Sequence, residues 1–501
     1  MAEGPNILLV VSDEERRNDW LDGVVGLPAH QRLRADGLSF DRYFTHASPC
    51  SPSRASLYTG RYLAEHGVVD NVAFPTHTAL DPAIPTIGSL LAGRGYRSSY
   101  LGKWHLSHGA SPDMAAHGYL DWEGNDVHFM GSAYTGRHFD PIIVDQAIAW
   151  LKDRAATGAD GSGHSPPWFL TVALVNPHDI MWFPADHLSY QADHPAFAEL
   201  FNAVVQMRLG DLPVAPPPED YPRRFDRLPE NFSDDLHTKP EVQRAWRHVR
   251  NREHLVGSID ADDHDTWLRG LDYYAWLHTE LDASLARLID ALDALGLYDD
   301  TVIAYTSDHG DACGSHGLRA KLPCVYDEVM GVPLIVKAPG VPAGARTAAL
   351  ATHVDLAATI ASLGGVDVAA TPTLSGRDLA PVLADPAASV RDYVLFSQDS
   401  AQSDLIRNTR YALRGFYDGE TKYARYYGIG GGVRRDGTAD DSAKIFGADA
   451  GFDDHDHEWY ETAEDPHELV NLANDRGRRG ELRELFHRLL DCESQELTLT
   501  P

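Results

Sequence analysis

The sequence predicts an α/β layer fold, because short apolar runs typical of buried strands alternate with segments of helical periodicity. Three of the predicted strands, at 6–13, 168–175 and 301–306, end in loops that carry acidic or histidine side chains. Ligands of open α/β sheets bind at the carboxyl ends of the strands. We therefore expect a functional site where these three strand ends meet.

The other elements follow from local patterns. Residues 85–95 predict a helix that begins with Pro and Thr and ends at Gly, and 96–101 resumes an extended pattern. Between 274 and 295 leucines recur at helical spacing up to Gly296, which predicts a long amphipathic helix. Further strands are predicted at 393–396, 411–416 and 422–427, and a closing helix at 479–490. The Gly-rich segment 428–437 predicts a loop.

A length of 501 residues exceeds one ordinary domain and predicts a large domain with a smaller one attached. We place the large α/β domain at 1–386 and a smaller C-terminal sheet-plus-helix domain at 387–501. Residues 184–265 are Pro-rich and Arg-rich and show no clear periodicity. This stretch is interpreted as an insertion near the substrate entrance.

Composition and charge limit the classes of function. Apolar residues make up 43% of the chain and charged residues 23%, as in folded globular proteins. A formal net charge of -31 argues against nucleic acid and anionic membranes as partners, since both require basic patches. No run approaches the roughly 20 apolar residues of a membrane span. The N-terminus lacks a secretory pattern, and the four cysteines are too widely spaced for a disulfide framework. We therefore expect a cytoplasmic protein, and the oligomeric state stays open.

The most specific motif, Cys-Ser-Pro-Ser-Arg, runs from Cys50 to Arg54. It resembles the signature of the sulfatases, whose Cys-x-Pro-x-Arg core is recognised by the formylglycine-generating enzyme. The resemblance implies that Cys50 is oxidised to formylglycine, whose hydrated form attacks sulfur with one hydroxyl and expels sulfate with the other. It also implies that Arg54 offsets the charge of the ionised diol. An isolated cysteine is more often structural, but the extended match favours the sulfatase interpretation.

Two pairs of candidate metal ligands at strand ends match the sulfatase metal site in position. They are Asp13 with Glu14 and Asp308 with His309. The resemblance implies that these four side chains, with the diol derived from Cys50, hold one divalent ion. The number of oxygen ligands favours Ca²⁺, whereas ligation by His309 would favour Mn²⁺. Glu14 departs from the Asp that is usual in the family, and its extra methylene changes the reach of the carboxylate.

The resemblance assigns five further side chains. Lys103 and Lys321 would bind the sulfate oxygens, and Asn71 would add a polar contact to the substrate. His105 would contact the diol and assist its collapse. His178, in an Asn-Pro-His turn, would protonate the leaving oxygen. Residues 459–473 resemble an element near sulfatase C-termini whose role is structural.

The resemblance implies an alkaline-phosphatase-like fold and the hydrolysis of a small-molecule sulfate monoester. A phosphonate monoester or phosphodiester hydrolase of the same superfamily is the nearest alternative, because it shares the diol and the metal pair. Lys103 and His105 favour the sulfatase, since those hydrolases tend to carry hydroxyl side chains at these places. The other alternative is a non-catalytic anion-binding protein, which applies if Cys50 is never modified. The sequence leaves the sulfated alcohol unidentified.

Overall fold

A computed structural model describes residues 4–73, 77–109, 112–122, 130–157, 166–252, 255–400, 406, 409–428 and 451–497. The strands are β1 (Asn6–Asp13), β2 (Leu38–Phe44), β3 (Arg97–Gly102), β4 (Trp168–Pro177), β5 (Thr301–Ser307), β6 (Leu334–Lys337), β7 (Ala345–Thr352), β8 (Val394–Gln398), β9 (Ala412–Tyr417), β10 (Thr421–Tyr427) and β11 (Asp456–Glu461). The α-helices are α1 (Pro28–Asp36), α2 (Cys50–Thr59), α3 (Leu63–His66), α4 (Ile87–Gly93), α5 (Thr135–Thr157), α6 (Leu188–Asp193), α7 (Pro195–Leu209), α8 (Glu241–Arg250), α9 (His264–Ala294), α10 (Asp327–Met330), α11 (His353–Leu363), α12 (Ala380–Ala384) and α13 (Arg479–Glu496). Short 3₁₀ helices span Asn18–Leu21, Met114–His117, His178–Trp182, Ser315–Gly317, Phe452–Asp454, Leu472–Asn474 and Arg476–Arg478.

Seven strands form a large sheet in the order β3-β4-β1-β5-β6-β2-β7. The strands β3, β4, β1 and β5 are parallel, whereas β6 runs antiparallel to both of its neighbours. Alternate residues of β1 enter two different cores. Leu9 and Val11 pack with helices α2, α4 and α11 on one face, and Leu8 and Val10 pack with α1, α5 and α9 on the other. The predicted α/β sheet, covered by helices on both faces, is confirmed.

Four strands form a second, antiparallel sheet in the order β11-β10-β9-β8. Leu482, Phe486 and Leu489 of α13 pack on Phe416 and Tyr423 of this sheet. The predicted small sheet and closing helix are therefore present. The domain boundary at 386/387 stays a prediction. Residues 429–450, which include most of the predicted loop 428–437, lie outside the described residues.

The C-terminal element at 459–473 joins the small sheet to the insertion. The side-chain oxygen of Asn471 accepts from the backbone N–H of Trp459 at 3.0 Å. Its amide nitrogen donates to the carbonyl of Thr238 at 2.7 Å. One buried side chain thus holds β11 against the segment that precedes α8.

Some predicted elements differ from the structure. Helix α9 begins ten residues earlier than predicted, with Asp263 accepting from the backbone N–H of Thr266 at its start. The segment 184–265 is only partly irregular, because it contains α6, α7 and α8. In α8 only Val242, Gln243 and Trp246 are buried among charged neighbours, so its helical period is hard to detect. Helix α5, which contains Pro141, and strands β2, β6, β7 and β11 were not predicted.

Within the described ranges, no helix is long and apolar enough to cross a membrane. All four cysteines are buried and free. The cytoplasmic location stays a prediction.

Candidate active site

The carboxyl ends of β1 and β5 bring two buried aspartates together. These strands pair in register, with Ser12 opposite Ser307, so the next residues, Asp13 and Asp308, leave the sheet side by side. The backbone N–H of Asp308 donates to the carbonyl of Ser12 at 3.2 Å. Glu14 follows in a left-handed conformation with φ of 68°, and its N–H donates to a carboxylate oxygen of Asp308 at 3.1 Å. The expected meeting of the ends of β1 and β5 is therefore observed.

Cys50 lies at the first position of α2, above these strand ends. Its Sγ is 3.2 Å from Nε2 of His309 and 3.9 Å from both Oδ1 of Asp13 and Nζ of Lys103. The thiol is 1% exposed, so it belongs to an enclosed polar centre. Cys50 thus contacts residues predicted for the metal site and for sulfate binding.

The helix start at Cys50 is fixed by two neighbouring loops. The side-chain oxygen of Asn71 accepts from the N–H of Ser51 at 3.0 Å, and Oγ of Ser51 donates to the carbonyl of His105 at 2.5 Å. These contacts position the loops that carry Asn71 and His105 beside the cysteine. The predicted substrate contact of Asn71 stays a prediction, because its oxygen caps the helix in this structure.

Arg54 connects the two aspartates. Its Nε donates to Asp308 and one terminal nitrogen donates to Asp13, each at 2.8 Å, while the other donates to the carbonyl of Lys103 at 2.6 Å. The guanidinium is fully buried. Its observed contacts therefore offset part of the charge of the two carboxylates, and the predicted role toward an ionised diol stays a prediction.

Two overlapping groups of side chains could hold a metal ion. In each group the candidate ligand atoms lie within 4.8 Å of one another; one consists of Asp13, Cys50, Asp308 and His309, and the other of Asp13, Glu14 and His178. Oε2 of Glu14 accepts from Lys321 at 2.8 Å, whereas Oε1 is buried without a hydrogen-bond partner among the described residues. Carboxylate oxygens and an imidazole nitrogen suit a divalent cation, so the residues fit such an ion.

Buried basic side chains, two lysines and a neutral histidine, face the same acids from the other side. Nζ of Lys103 lies 2.5 Å from Oδ2 of Asp13, and Nε2 of His178 lies 3.5 Å from Oε2 of Glu14. Lys103, His178 and Lys321 are each less than 5% exposed. Buried charges of both signs at this density require close pairing, which the distances provide.

The electrostatic environment of Cys50 favours negative charge. Burial alone would raise the pKa of its thiol, but Lys103, Lys321 and His309 reverse this effect and hold the pKa well below the ordinary value. Burial lowers the pKa of His178 to about 3, with Lys321 and Lys103 adding to the effect. The centre is thus locally cationic although the chain is strongly acidic.

A protein-family model described as Sulfatase matches residues 5–366. The chain belongs to the sulfatase family. It is 26% identical to the N-acetylglucosamine-6-O-sulfatase of Bacteroides thetaiotaomicron, over 98% of this chain and 86% of that protein. It is also 26% identical to human arylsulfatase A, over 94% and 84% of the two chains. A solved structure, the phosphonate monoester hydrolase from Silicibacter pomeroyi, matches with a TM-score of 0.70 at 20% identity, covering 99% of this chain and 96% of that one.

The predicted family, the alkaline-phosphatase-like fold and the assignment as a sulfatase enzyme are confirmed. The structure brings together the predicted residues Asp13, Glu14, Cys50, Arg54, Lys103, His178, Asp308, His309 and Lys321. His105 and Asn71 lie at the helix start beside Cys50. Their individual roles stay predictions.

Sequence reasoning missed a histidine beneath the sulfatase centre. Nδ1 of His353 lies 3.2 Å from the hydroxyls of both Thr45 and Ser53, and its Nε2 lies 3.0 Å from the carbonyl oxygen of Ser307. Ser53 also donates to the carbonyl of Asp308. Burial lowers the pKa of His353 to about 3, so the ring is neutral. It links α2 and α11 to the loop that carries Asp308.

A second feature that the sequence did not predict, the buried Arg319, holds the loop that carries Lys321 in place. Arg319 is buried and donates to the carbonyls of Phe183, Val256 at 3.1 Å and Gly257 at 3.0 Å. Residues 184–265 therefore hold the loop that presents Lys321. The only signal in the sequence is an arginine near the lysine, and its partners are distant in the chain.

Proposed function

We propose that this sulfatase hydrolyses a small-molecule sulfate monoester through a formylglycine made from Cys50 and one divalent metal ion. One observation carries the proposal: the motif cysteine lies within 3.9 Å of Asp13, Lys103 and His309, one residue from each of three separate segments. The nucleophile position, the ligand set and a buried cation thus converge at one point. Maturation by a formylglycine-generating enzyme follows from the Cys-x-Pro-x-Arg core.

Asp13, Asp308 and His309 would hold the ion, with Glu14 completing the set through its unpaired oxygen. When bound, a divalent ion supplies Lewis-acid polarisation of a sulfuryl oxygen and offsets the charge that develops on it. Three carboxylates favour Ca²⁺, and ligation by His309 would favour Mn²⁺. Because Lys103 lies 2.5 Å from Asp13, metal at that carboxylate would leave the ammonium charge available to an anionic substrate.

The hydrated aldehyde of formylglycine would supply one hydroxyl that attacks sulfur and displaces the alcohol. Its second hydroxyl would lose a proton, so that the C–O bond to sulfate breaks and the aldehyde re-forms. Lys103 and Lys321 bind the sulfate oxygens as their charge increases. His105, whose loop is held beside Cys50 by the hydrogen bond from Ser51 to its carbonyl, would accept the proton during release.

His178 acts at the leaving oxygen. Burial and the two lysines lower its pKa to about 3, which disfavours the protonated ring at neutral pH. An anionic ester bound between Lys103 and Lys321 opposes the effect of those lysines and raises the affinity of His178 for a proton. We infer that His178 becomes a proton donor only when substrate is bound.

Two measurements test the proposal on protein that was co-produced with a formylglycine-generating enzyme and loaded with metal. Mass spectrometry of the peptide containing residue 50 should find formylglycine in place of cysteine. Kinetics should give a higher kcat/KM for nitrophenyl sulfate than for the matched phosphate diester or phosphonate monoester. Unmodified protein that binds sulfate without turnover would favour the anion-binding alternative.

The second candidate is a phosphonate monoester or phosphodiester hydrolase. The fold similarity to the phosphonate monoester hydrolase from Silicibacter pomeroyi favours it at the level of architecture. A cationic Lys103 beside Cys50 favours sulfate instead, since a diester needs room for its second ester group next to the nucleophile. Preference of the modified protein for the diester would establish this second candidate.

A further inference from the structure

Gly131 lies directly against the two side chains that we assign to opposite ends of the scissile bond. A methyl group in place of its Hα would lie 3.3 Å from Nζ of Lys103, 3.2 Å from Cε1 of His178 and 3.5 Å from Nε2 of the same ring. In the proposed function Lys103 holds a sulfate oxygen and His178 serves the leaving oxygen. The bare backbone at position 131 therefore borders the space that the ester oxygen needs.

The position of this backbone is fixed from both sides. The N–H of Gly131 donates to Oγ1 of Thr135 at 3.0 Å, at the start of α5. Its carbonyl accepts from Nε1 of Trp182 at 2.9 Å, and Trp182 ends the same 3₁₀ helix that begins with His178. Gly131 also has φ of +119°, a conformation that favours glycine. The segment cannot retreat from Lys103 and His178 without breaking these bonds.

We propose that Gly131 forms the wall of the reaction pocket beside the ester oxygen and determines how bulky the leaving group can be at that point. The proposal rests on the proposed function, because it needs the ester to lie between Lys103 and His178. A larger residue at 131 would fill the space next to the leaving oxygen and press on both side chains. The substrate carbon that is bonded to the leaving oxygen would then contact the new side chain at position 131 instead of the peptide backbone.

Backbone strain must be separated from filling of the pocket. Gly23 and Gly296 also have positive φ, of 76° and 65°, yet a methyl group at either position would have no neighbour within 4 Å. Gly23→Ala therefore places a side chain at a positive φ without any steric contact. It is the matched control for Gly131→Ala.

The experiment uses full-length, formylglycine-containing protein and two aryl sulfates, nitrophenyl sulfate and its derivative with methyl groups at both ortho positions. Gly131→Ala should lower kcat/KM by about tenfold for the unhindered ester and about a hundredfold for the hindered one. Gly23→Ala should stay within about twofold of the parent for both esters. Metal content and formylglycine content, measured by mass spectrometry, should be equal in all variants.

Trp182→Phe is a second, independent test of the inference, which applies even if Gly131→Ala folds poorly. It removes the hydrogen bond to the carbonyl of Gly131 while keeping an aromatic ring, so the backbone at Gly131 is held less firmly. The ratio of kcat/KM for the unhindered ester to that for the hindered ester should therefore fall by about threefold. Equal losses on the two esters with Gly131→Ala, or an unchanged preference with Trp182→Phe, would overturn the inference alone. A parent protein that cleaves no aryl sulfate would overturn the proposed function and this inference with it.

Discussion

The two sides of the active site are built differently. The metal-facing wall consists of Asp13, Arg54, Asp308 and His309. Arg54 bridges its two carboxylates at 2.8 Å, and the register of β1 with β5 sets their separation. The other wall consists of His178, assigned to the leaving oxygen, and of Lys103 and Lys321, assigned to the sulfate oxygens, and is called here the leaving-group wall. Its members come from three separate loops, after β3, after β4 and between β5 and α10.

This difference indicates which parts of the site can vary. The metal-facing wall depends on strand pairing and on the start of α2, so changing it would disturb the sheet itself. The leaving-group wall depends on contacts from outside the sheet, such as Arg319 with residues 184–265 for Lys321. We therefore expect losses in the first wall to affect every ester equally and losses in the second to depend on the ester.

The largest expected effect concerns the nucleophile shared by both walls. Cys50→Ala should lower turnover of aryl sulfates by on the order of 10⁴-fold or more, because no formylglycine can form. The midpoint of thermal unfolding should change little, since the side chain lies in a polar centre rather than in the leucine core. Activity within about tenfold of the parent, a loss of only ~1.4 kcal/mol, would contradict a nucleophile at position 50.

The next effect concerns the metal-facing wall. Asp308→Asn should lower metal content, measured by elemental analysis, and reduce kcat by on the order of 10³-fold, because it removes one negative ligand. The same loss is expected for sulfate and phosphonate esters, and treatment with a chelator should reproduce it.

Asp19→Asn is the matched control for this change, because Asp19 is 66% exposed and lies close in the chain to Asp13. Its metal content and kcat should equal those of the parent. Full activity in a preparation shown to be free of metal would rule out the metal mechanism.

A smaller and ester-dependent effect is expected in the leaving-group wall. Lys103→Ala should lower kcat/KM for an aryl sulfate by on the order of 10²-fold, the typical loss of one transition-state contact to a developing charge. Lys152→Ala, which changes an exposed lysine on α5, should have no effect. Unchanged sulfate hydrolysis in Lys103→Ala would turn the assignment toward phosphonate or phosphodiester hydrolysis.

The metal-facing wall could be predicted from the sequence because its signals are local. Strand β1 has the predicted bounds, since an unbroken apolar run ends in charged residues there. Cys50 and Arg54 lie in one contiguous motif. Glu14 shows the limit of this reasoning, because the structure groups it with His178 and Lys321 instead of Cys50. Its longer side chain reaches toward the lysine.

The supports of the leaving-group wall could not be predicted, because they depend on tertiary contacts. Gly131 and Trp182 lie in separate segments and are joined by a hydrogen bond. No sequence pattern around either residue predicts this contact. The same holds for Arg319 with Val256. The helices within residues 184–265 were not predicted, because the buried face of each helix is narrow and packs on distant parts of the chain.

The smallest effect on turnover is expected from a buried charge network beneath the metal-facing wall, which should alter stability without altering ester preference. Nδ1 of His30 lies 2.6 Å from Oδ1 of Asp282, and its Nε2 lies 3.5 Å from Oε1 of Glu15. Burial opposes the charged imidazole, but the hydrogen bond to Asp282 and the nearby carboxylate of Glu15 raise the pKa of His30 from 6.5 to about 9. A folded-state pKa above the unfolded value gives stability that is complete below pH 6.5 and lost as the pH rises through about 9.

We therefore expect the free energy of unfolding, measured in urea at constant metal concentration, to fall by a few kcal/mol (roughly 1.4 per unit of pKa shift) as the pH rises through this range. His30→Gln should be less stable than the parent below pH 6.5, where the parent imidazole is charged, and should lack this part of the pH dependence. The ratio of kcat/KM between sulfate and phosphonate esters should be the same in both proteins. A parent whose stability is flat or rises with pH, or a variant with the same curve, would show that the His30 pair contributes nothing beneath the metal-facing wall.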